Sequence, residues 1–248
     1  MSWRRRALLG SLPLWLGAAA PLPTSEQLRL FASADEVAPS PPGTVLFVGS
    51  STIRLWPRLA DDFAPLAVVQ RGFGGATLAE VVTHADVLFA PHRPAAIVLY
   101  AGENDIAAGA SPADVAERFS DLLDRLAVLY PEPVPIIVPG PKPSLARAEL
   151  WPAMQATTVA LSDVASPVHD VQVIDLAPRL VGPEGRLQPS LYAPDLLHFS
   201  EAGYRVLRAI VAEALVDAGA IGESGRDGPQ PGSAGGTFEP VAAVTPAP

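Results

Sequence analysis

From Thr44 onward, short unbroken apolar runs alternate with stretches in which apolar residues return every three or four positions. The runs Thr44–Val48, Ala67–Gln70, Ala95–Tyr100, Val134–Val138 and Val171–Ile174 predict five strands. None shows the in–out alternation of a strand with one wet face, so they predict a parallel sheet covered by helices on both sides. After the first run comes a helical stretch carrying Ile53 and Trp56. Thr77 with Glu80 three residues on predicts a capped helix with Leu78, Val81, Val82 and Ala85 on one side. Ser111-Pro112 opens another, Ser as cap and Pro in the first turn, with Val115, Phe119, Leu122, Leu123, Leu126 and Leu129 facing the core. A helical segment spans about residues 146–164. Ser200 caps the last helix, which carries Tyr204, Leu207, Ile210, Val211 and Leu215 and ends near Gly219. Upstream, Thr24 and Gln27 have the spacing of a capping box for a short helix with Leu28 and Phe31 on one face, and Pro39-Ser40-Pro41-Pro42-Gly43 is a stiff connector. The pattern predicts an α/β fold: a flavodoxin-like three-layer α/β/α sandwich around a five-stranded parallel sheet. In such sheets ligands sit beyond the carboxyl ends of the strands.

The ends of the chain read differently. Trp3-Arg4-Arg5-Arg6, the apolar run from Ala7 to Leu16 and the small residues Gly17 to Ala20 have the form of an export signal. The Arg pair fits a twin-arginine route, and the Sec route stays open. Pro21 disfavours a cut directly after Ala20, so cleavage after Ala19 and retention as an anchor both remain. From about Glu223 the chain is Gly, Pro, Ser and Ala with little to bury, which predicts a disordered tail. The expected organisation is a leader or anchor at 1–22, a domain at 23–219 and a tail at 220–248. The expected location is periplasmic or extracellular.

Composition narrows the chemistry. The 248 residues suffice for one domain with a core of its own. A net charge of −9 argues against nucleic acid as a partner and against an anionic membrane surface, since both need basic patches. Membrane contact is expected only if the N-terminal segment is retained. Without Cys there is no disulfide or thiolate metal site, and the four His show no metal-ligand spacing. No cofactor is expected. Thr77 stands where the third Gly of a dinucleotide loop belongs, no phosphate loop is present, and no hydroxyl-rich phosphate cradle for flavin extends beyond Ser50-Ser51-Thr52.

Four segments lie just past predicted strand ends or downstream of them: Gly49-Ser50-Ser51, Gly72-Phe73-Gly74-Gly75, Gly102-Glu103-Asn104-Asp105 and Asp195-Leu196-Leu197-His198. Ser51 falls at a helix N-terminus, where free N–H groups and the dipole favour developing negative charge. The Gly segment lets backbone approach a ligand closely. Asn104 offers a side-chain amide to an oxyanion. His198 is the one His with a carboxylate three positions earlier, so Asp195 can orient it. Taken singly, each also fits a plain structural role: a helix cap, a tight turn, an Asx turn, a chance spacing.

Together and in this order, the four segments resemble the blocks of the SGNH, or GDSL-type, serine hydrolases. The resemblance runs from about Leu28 to Leu215. The strings from Leu46 to Trp56, Arg71 to Gly75, Tyr100 to Asp105 and Lys142-Pro143-Ser144 look like a bacterial subgroup. The resemblance implies that Ser51 is the nucleophile, His198 the base and Asp195 its orienter. It also implies an oxyanion hole of the Ser51 N–H, the Gly75 N–H and the Asn104 amide. Two positions depart: Ser50 replaces an acidic residue often found before the nucleophile, and Gln70 stands where many members carry Asn. Ile53 rules out the G-x-S-x-G elbow of α/β-hydrolases.

The expected activity is a serine esterase acting on a small-molecule or carbohydrate ester, removing acyl groups from a carbohydrate or lipid. An O-acyltransferase with the same site and a non-catalytic carbohydrate-binding module are the alternatives. Arg54, Lys142 and Arg147 are candidates to hold a polar substrate, with solvated surface charge as the simpler expectation for each.

Overall fold

The computed structural model describes residues 22–168 and 170–222. Nearly all of the expected leader, the tail from residue 223 and His169 lie outside the described residues. In chain order the elements are α1 (Thr24–Val37), β1 (Val45–Gly49), α2 (Ser51–Arg54), α3 (Leu59–Asp62), β2 (Val68–Gly72), α4 (Leu78–Thr83), α5 (Ala85–Leu88), β3 (Ala96–Tyr100), α6 (Glu103–Ala107), α7 (Pro112–Leu129), β4 (Ile136–Pro139), α8 (Trp151–Ala165), β5 (Val171–Ile174), α9 (Ala177–Leu180) and α10 (Glu201–Asp217). Short 3-10 helices occupy Leu145–Leu150 and Pro189–Leu191.

All five strands are parallel, in the order β2-β1-β3-β4-β5. This is the order of a flavodoxin-like sheet, the fold class expected from the sequence, and its switch point lies between β1 and β3. Side chains alternate across the sheet. Leu46 and Val48 enter a core with α4, α5, α7 and α8, while Val45 and Phe47 enter a second core with Trp56, Phe63 and α10. Burial on both faces holds for the central strands β1, β3 and β4. It fails for β2 and β5, whose residues are mostly half-buried. Those two are edge strands, so the covering layers thin out over them.

The strongest periodic signals are realised as read. In α7 Val115, Phe119, Leu122 and Leu126 are buried, and Ser111 caps it with a reciprocal bond from Asp114. In α10 Tyr204, Leu207, Ile210, Val211 and Leu215 are buried, and Ser200 accepts from Gly203 N–H. Thr77 and Glu80 form the expected capping box on α4. Thr24 and Gln27 do not form one: α1 starts at Thr24 itself, after Pro23. Gln27 instead donates to the Leu22 carbonyl at 2.6 Å and accepts from the Gly74 N–H at 3.2 Å. A tertiary partner on the Gly segment thus takes the side chain that the local pattern assigned to a cap. Past Gly219, Ala220 and Ile221 still pack on the second core.

Candidate active site

The turn after β1 needs glycine at its first position. Gly49 has φ +147°, and a Cβ there would lie 2.0 Å from the Tyr100 carbonyl oxygen. Ser50 is 3% exposed and donates its N–H to that oxygen at 3.0 Å, while its own carbonyl starts α2. Ser51 is therefore the first residue of α2, with its side chain free of the capping duty that three consecutive hydroxyl residues suggested. The helix is a single turn of four residues. Its macrodipole is correspondingly small, and what it offers is unpaired N–H groups rather than a long dipole. Gln70, on neighbouring β2, holds the turn by donating to the Ile53 carbonyl at 2.6 Å and the Trp56 carbonyl at 3.3 Å. That is the role of the residue that departs from the resembled pattern.

Ser51 and His198 are 147 positions apart, yet Ser51 Oγ lies 2.9 Å from His198 Nε2. On the other side of the ring, His198 Nδ1 lies 2.6 Å from Asp195 Oδ2. A carboxylate only accepts, so Nδ1 carries the proton, Nε2 is the acceptor, and the Ser51 hydroxyl donates to it. Asp195 Oδ1 also accepts from the Leu197 and His198 N–H groups, each at 3.0 Å. Desolvation pushes the Asp195 pKa up. The bonds from the His198 ring and the two amides outweigh it and bring the pKa to about 2. The loop that makes this turn passes through Leu196 at φ +58°, the one non-glycine residue with positive φ among the described residues. Asp195 is 50% and His198 24% exposed, so this end of the site faces solvent.

Gly75 follows β2 at φ +76°, with open space where a Cβ would stand; the dihedral, not crowding, favours glycine here. Among the described residues, neither the Ser51 nor the Gly75 N–H has a hydrogen-bond acceptor. Asn104 donates one amide hydrogen to the Ala76 carbonyl at 3.0 Å, leaving the second. Its carbonyl oxygen accepts from both terminal nitrogens of Arg147, each at 3.2 Å. Asp105 ties the Asn104 segment to the stretch that follows the Gly segment. It accepts from the Leu78 N–H at 2.8 Å, at the start of α4, and from Arg118 at 2.7 Å.

The three cations singled out from the sequence separate. Arg54 is exposed. Lys142 is 1% exposed and donates to Glu103 Oε2 at 2.7 Å, with its ammonium 5.6 Å from the Tyr100 ring centre and 5.4 Å from that of Phe199. It is not a solvated surface charge. Arg147 divides its contacts between Asn104 and Glu103 Oε1, the latter at 3.2 Å. Glu103 is the residue sequence reasoning passed over. It also accepts from Tyr100 OH at 2.7 Å, and burial together with this carboxylate raises the Tyr100 pKa well above its usual value. A glutamate beside an Asn-Asp pair carries no local sign of burial; only the sheet's packing supplies its partners.

The sequence model of the GDSL-like Lipase/Acylhydrolase family matches residues 45–206, a stretch that holds all four segments. No curated protein matches the chain. Solved structures do. A protein of Streptococcus pneumonia named provisionally for platelet activating factor is 22% identical over 78% of this chain and 91% of its own, with a TM-score of 0.67. A GDSL-like lipase from Bacteroides thetaiotaomicron is 19% identical over 77% of this chain and 98% of its own, with a TM-score of 0.63. A family 3 carbohydrate esterase from Clostridium thermocellum is 18% identical over 70% of this chain and 95% of its own, with a TM-score of 0.54. At these identities the structural likeness establishes the shared α/β fold.

Proposed function

The chain belongs to the GDSL-like lipase/acylhydrolase family, and we propose that within it the protein is a serine esterase with Ser51 as nucleophile. The observation that carries this reading is the hydrogen-bonded run Asp195–His198–Ser51, at 2.6 and 2.9 Å, beside three donors with a hydrogen to spare. In the proposed reaction Ser51 Oγ attacks the ester carbonyl carbon while its proton passes to His198 Nε2. The carbonyl oxygen gains the negative charge and is met by the Ser51 N–H, the Gly75 N–H and the second Asn104 amide hydrogen. Asp195 stays ionised and stabilises the imidazolium. His198 then gives its proton to the leaving alcohol as the C–O bond breaks. A water molecule, deprotonated by His198, attacks the acyl-enzyme, releases the acid and restores Ser51.

The exposure of Asp195 and His198 supports a bulky alcohol that can extend into solvent, and we propose an acylated carbohydrate or lipid as the substrate class. Export is part of the same proposal, supported by Arg4 to Arg6 and the apolar run behind them. The test is a panel of aryl and sugar esters of rising acyl length with purified protein and Ser51→Ala as control. Turnover by the wild type that Ser51→Ala lacks supports the reading; equal turnover by both rejects it. N-terminal sequencing of protein recovered outside the cytoplasm should start within a few residues of Ala20, and intact protein confined to the cytosol would reject export.

A further inference from the structure

We infer that Arg147 is a positioning residue for the oxyanion hole: it locks and polarises the Asn104 amide, so that the free N–H faces the developing charge. The inference rests on the esterase reading above and assigns a device inside that site. A side-chain amide has two orientations of similar shape, one presenting a donor and the other an acceptor. An acceptor turned toward an oxyanion would repel it. Arg147 settles the choice, because its two terminal nitrogens both reach Asn104 Oδ1 at 3.2 Å and have only hydrogens to offer. A flipped amide would set its NH2 against the guanidinium. The Ala76 carbonyl, accepting from Nδ2 at 3.0 Å, enforces the same orientation from the other side.

Polarisation is the second effect. A cation bonded to the amide oxygen draws electron density from the nitrogen, which makes its remaining N–H a stronger donor. Arg147 is held for this by Glu103, whose carboxylate is buried and shared with Lys142. One anion between two cations leaves a net positive charge beside the site, the sign that suits an oxyanion. The segment bearing Arg147 is also tied to the loop of the base. The Ala146 N–H donates to the Leu196 carbonyl at 3.0 Å, and Tyr192 OH donates to the Pro143 carbonyl at 2.7 Å. One short stretch, Lys142 to Arg147, therefore braces the Asn104 amide and the Asp195–His198 loop together. Arg147 stands at a kink between two short 3-10 turns, at φ −130° and ψ 35°, and in that conformation both of its terminal nitrogens meet Asn104.

The test is a double-mutant cycle on purified protein with an ester substrate. Arg147→Ala should lower kcat about 10–100-fold while KM stays within about twofold, since the lost help concerns the transition state. In an Asn104→Ala background the same change should cost less than about threefold, because the amide it served is gone. Arg147→Lys, which keeps the charge but not the fork, should recover part of the lost kcat. Thermal unfolding midpoints of all variants, read alongside, separate a loss of fold from a loss of function. An equal kcat loss in both backgrounds overturns the inference. So does a rise in KM with kcat intact, which would make Arg147 a substrate-binding group. If Ser51→Ala retains turnover, the esterase reading falls and this inference with it; if Ser51→Ala is dead and the cycle is additive, only the role of Arg147 falls.

Discussion

Among the described residues, two Ser–His–Asp groupings are joined in different ways. In the first, Ser51, His198 and Asp195 are joined at 2.9 and 2.6 Å at the carboxyl end of the sheet. In the second, Ser40 Oγ lies 2.9 Å from His92 Nδ1, and His92 Nε2 lies 3.7 Å from Asp35 Oδ2, beyond hydrogen-bond reach. Asp35 is claimed instead by Arg71, whose guanidinium also stacks over Phe31 at 5.1 Å. His92 is fully buried, whereas His198 meets solvent. Burial is the dominant reason that the His92 pKa is lowered; the nearby Asp35 pulls it up and Arg71 pushes it down again. The Asp35–Arg71 pair fastens α1 to β2, and the Ser40–His92 bond fastens the proline-rich connector to the loop before β3. The same three side chains thus act as catalytic candidates or as a structural clasp. What separates them is whether a carboxylate is hydrogen-bonded to the ring and whether the ring meets solvent.

The sharpest way to break the comparison is to remove each serine. Ser51→Ala should lose about 10³-fold or more in kcat/KM on an ester, and Ser40→Ala should leave the rate unchanged. Comparable losses in the two would mean that the clasp takes part in turnover. The histidines come next. His198→Ala should abolish most of the rate, and with it the acid limb of the kcat/KM profile. Asp195, with its pKa at about 2, stays ionised through any practical assay range and cannot supply that limb. A limb that survives in His198→Ala would reject His198 as the base.

Asn104→Ala should reduce kcat roughly 10²–10³-fold with little change in KM, as its bond strengthens only when charge develops. A pure KM effect would make it a substrate-binding group. The smallest expected effect concerns stability. His92→Gln should keep turnover while lowering stability by about 1–3 kcal/mol through its buried partners. The lowered His92 pKa fixes the sign of the pH dependence. Below about pH 6.5 the unfolded chain takes up a proton that the folded state resists, so stability falls as pH drops toward the folded-state value. Denaturant titrations between pH 5 and 8, roughly spanning the imidazole range, should show this slope in the wild type and a shallower one in His92→Gln. Equal slopes would show that His92 is not its source.

Much of this protein was legible along the chain. The runs that became β1, β3 and β4, the stripes of α7 and α10 and the caps Thr77, Ser111 and Ser200 are local signals, and burial follows directly from their period. The candidate residues were legible through the family resemblance rather than singly; Ser51, Gly75 and Asn104 fall just beyond strand ends, which a parallel sheet gathers on one edge, and His198 lies well downstream of the last strand. What the sequence could not set were partnerships between distant groups. The three-residue spacing marks Asp195–His198 as a pair, but nothing local joins either to Ser51 or Asp35 to His92, and nothing marks Glu103 as buried, Lys142 as its counter-ion, or Arg147 as the partner of Asn104. Gln27 was assigned to its own helix and serves the Gly segment instead. Periodicity records which face of an element meets the core, so it determines the fold. A polar side chain's role depends on what lies within about 3 Å of it, and only the folded chain decides that.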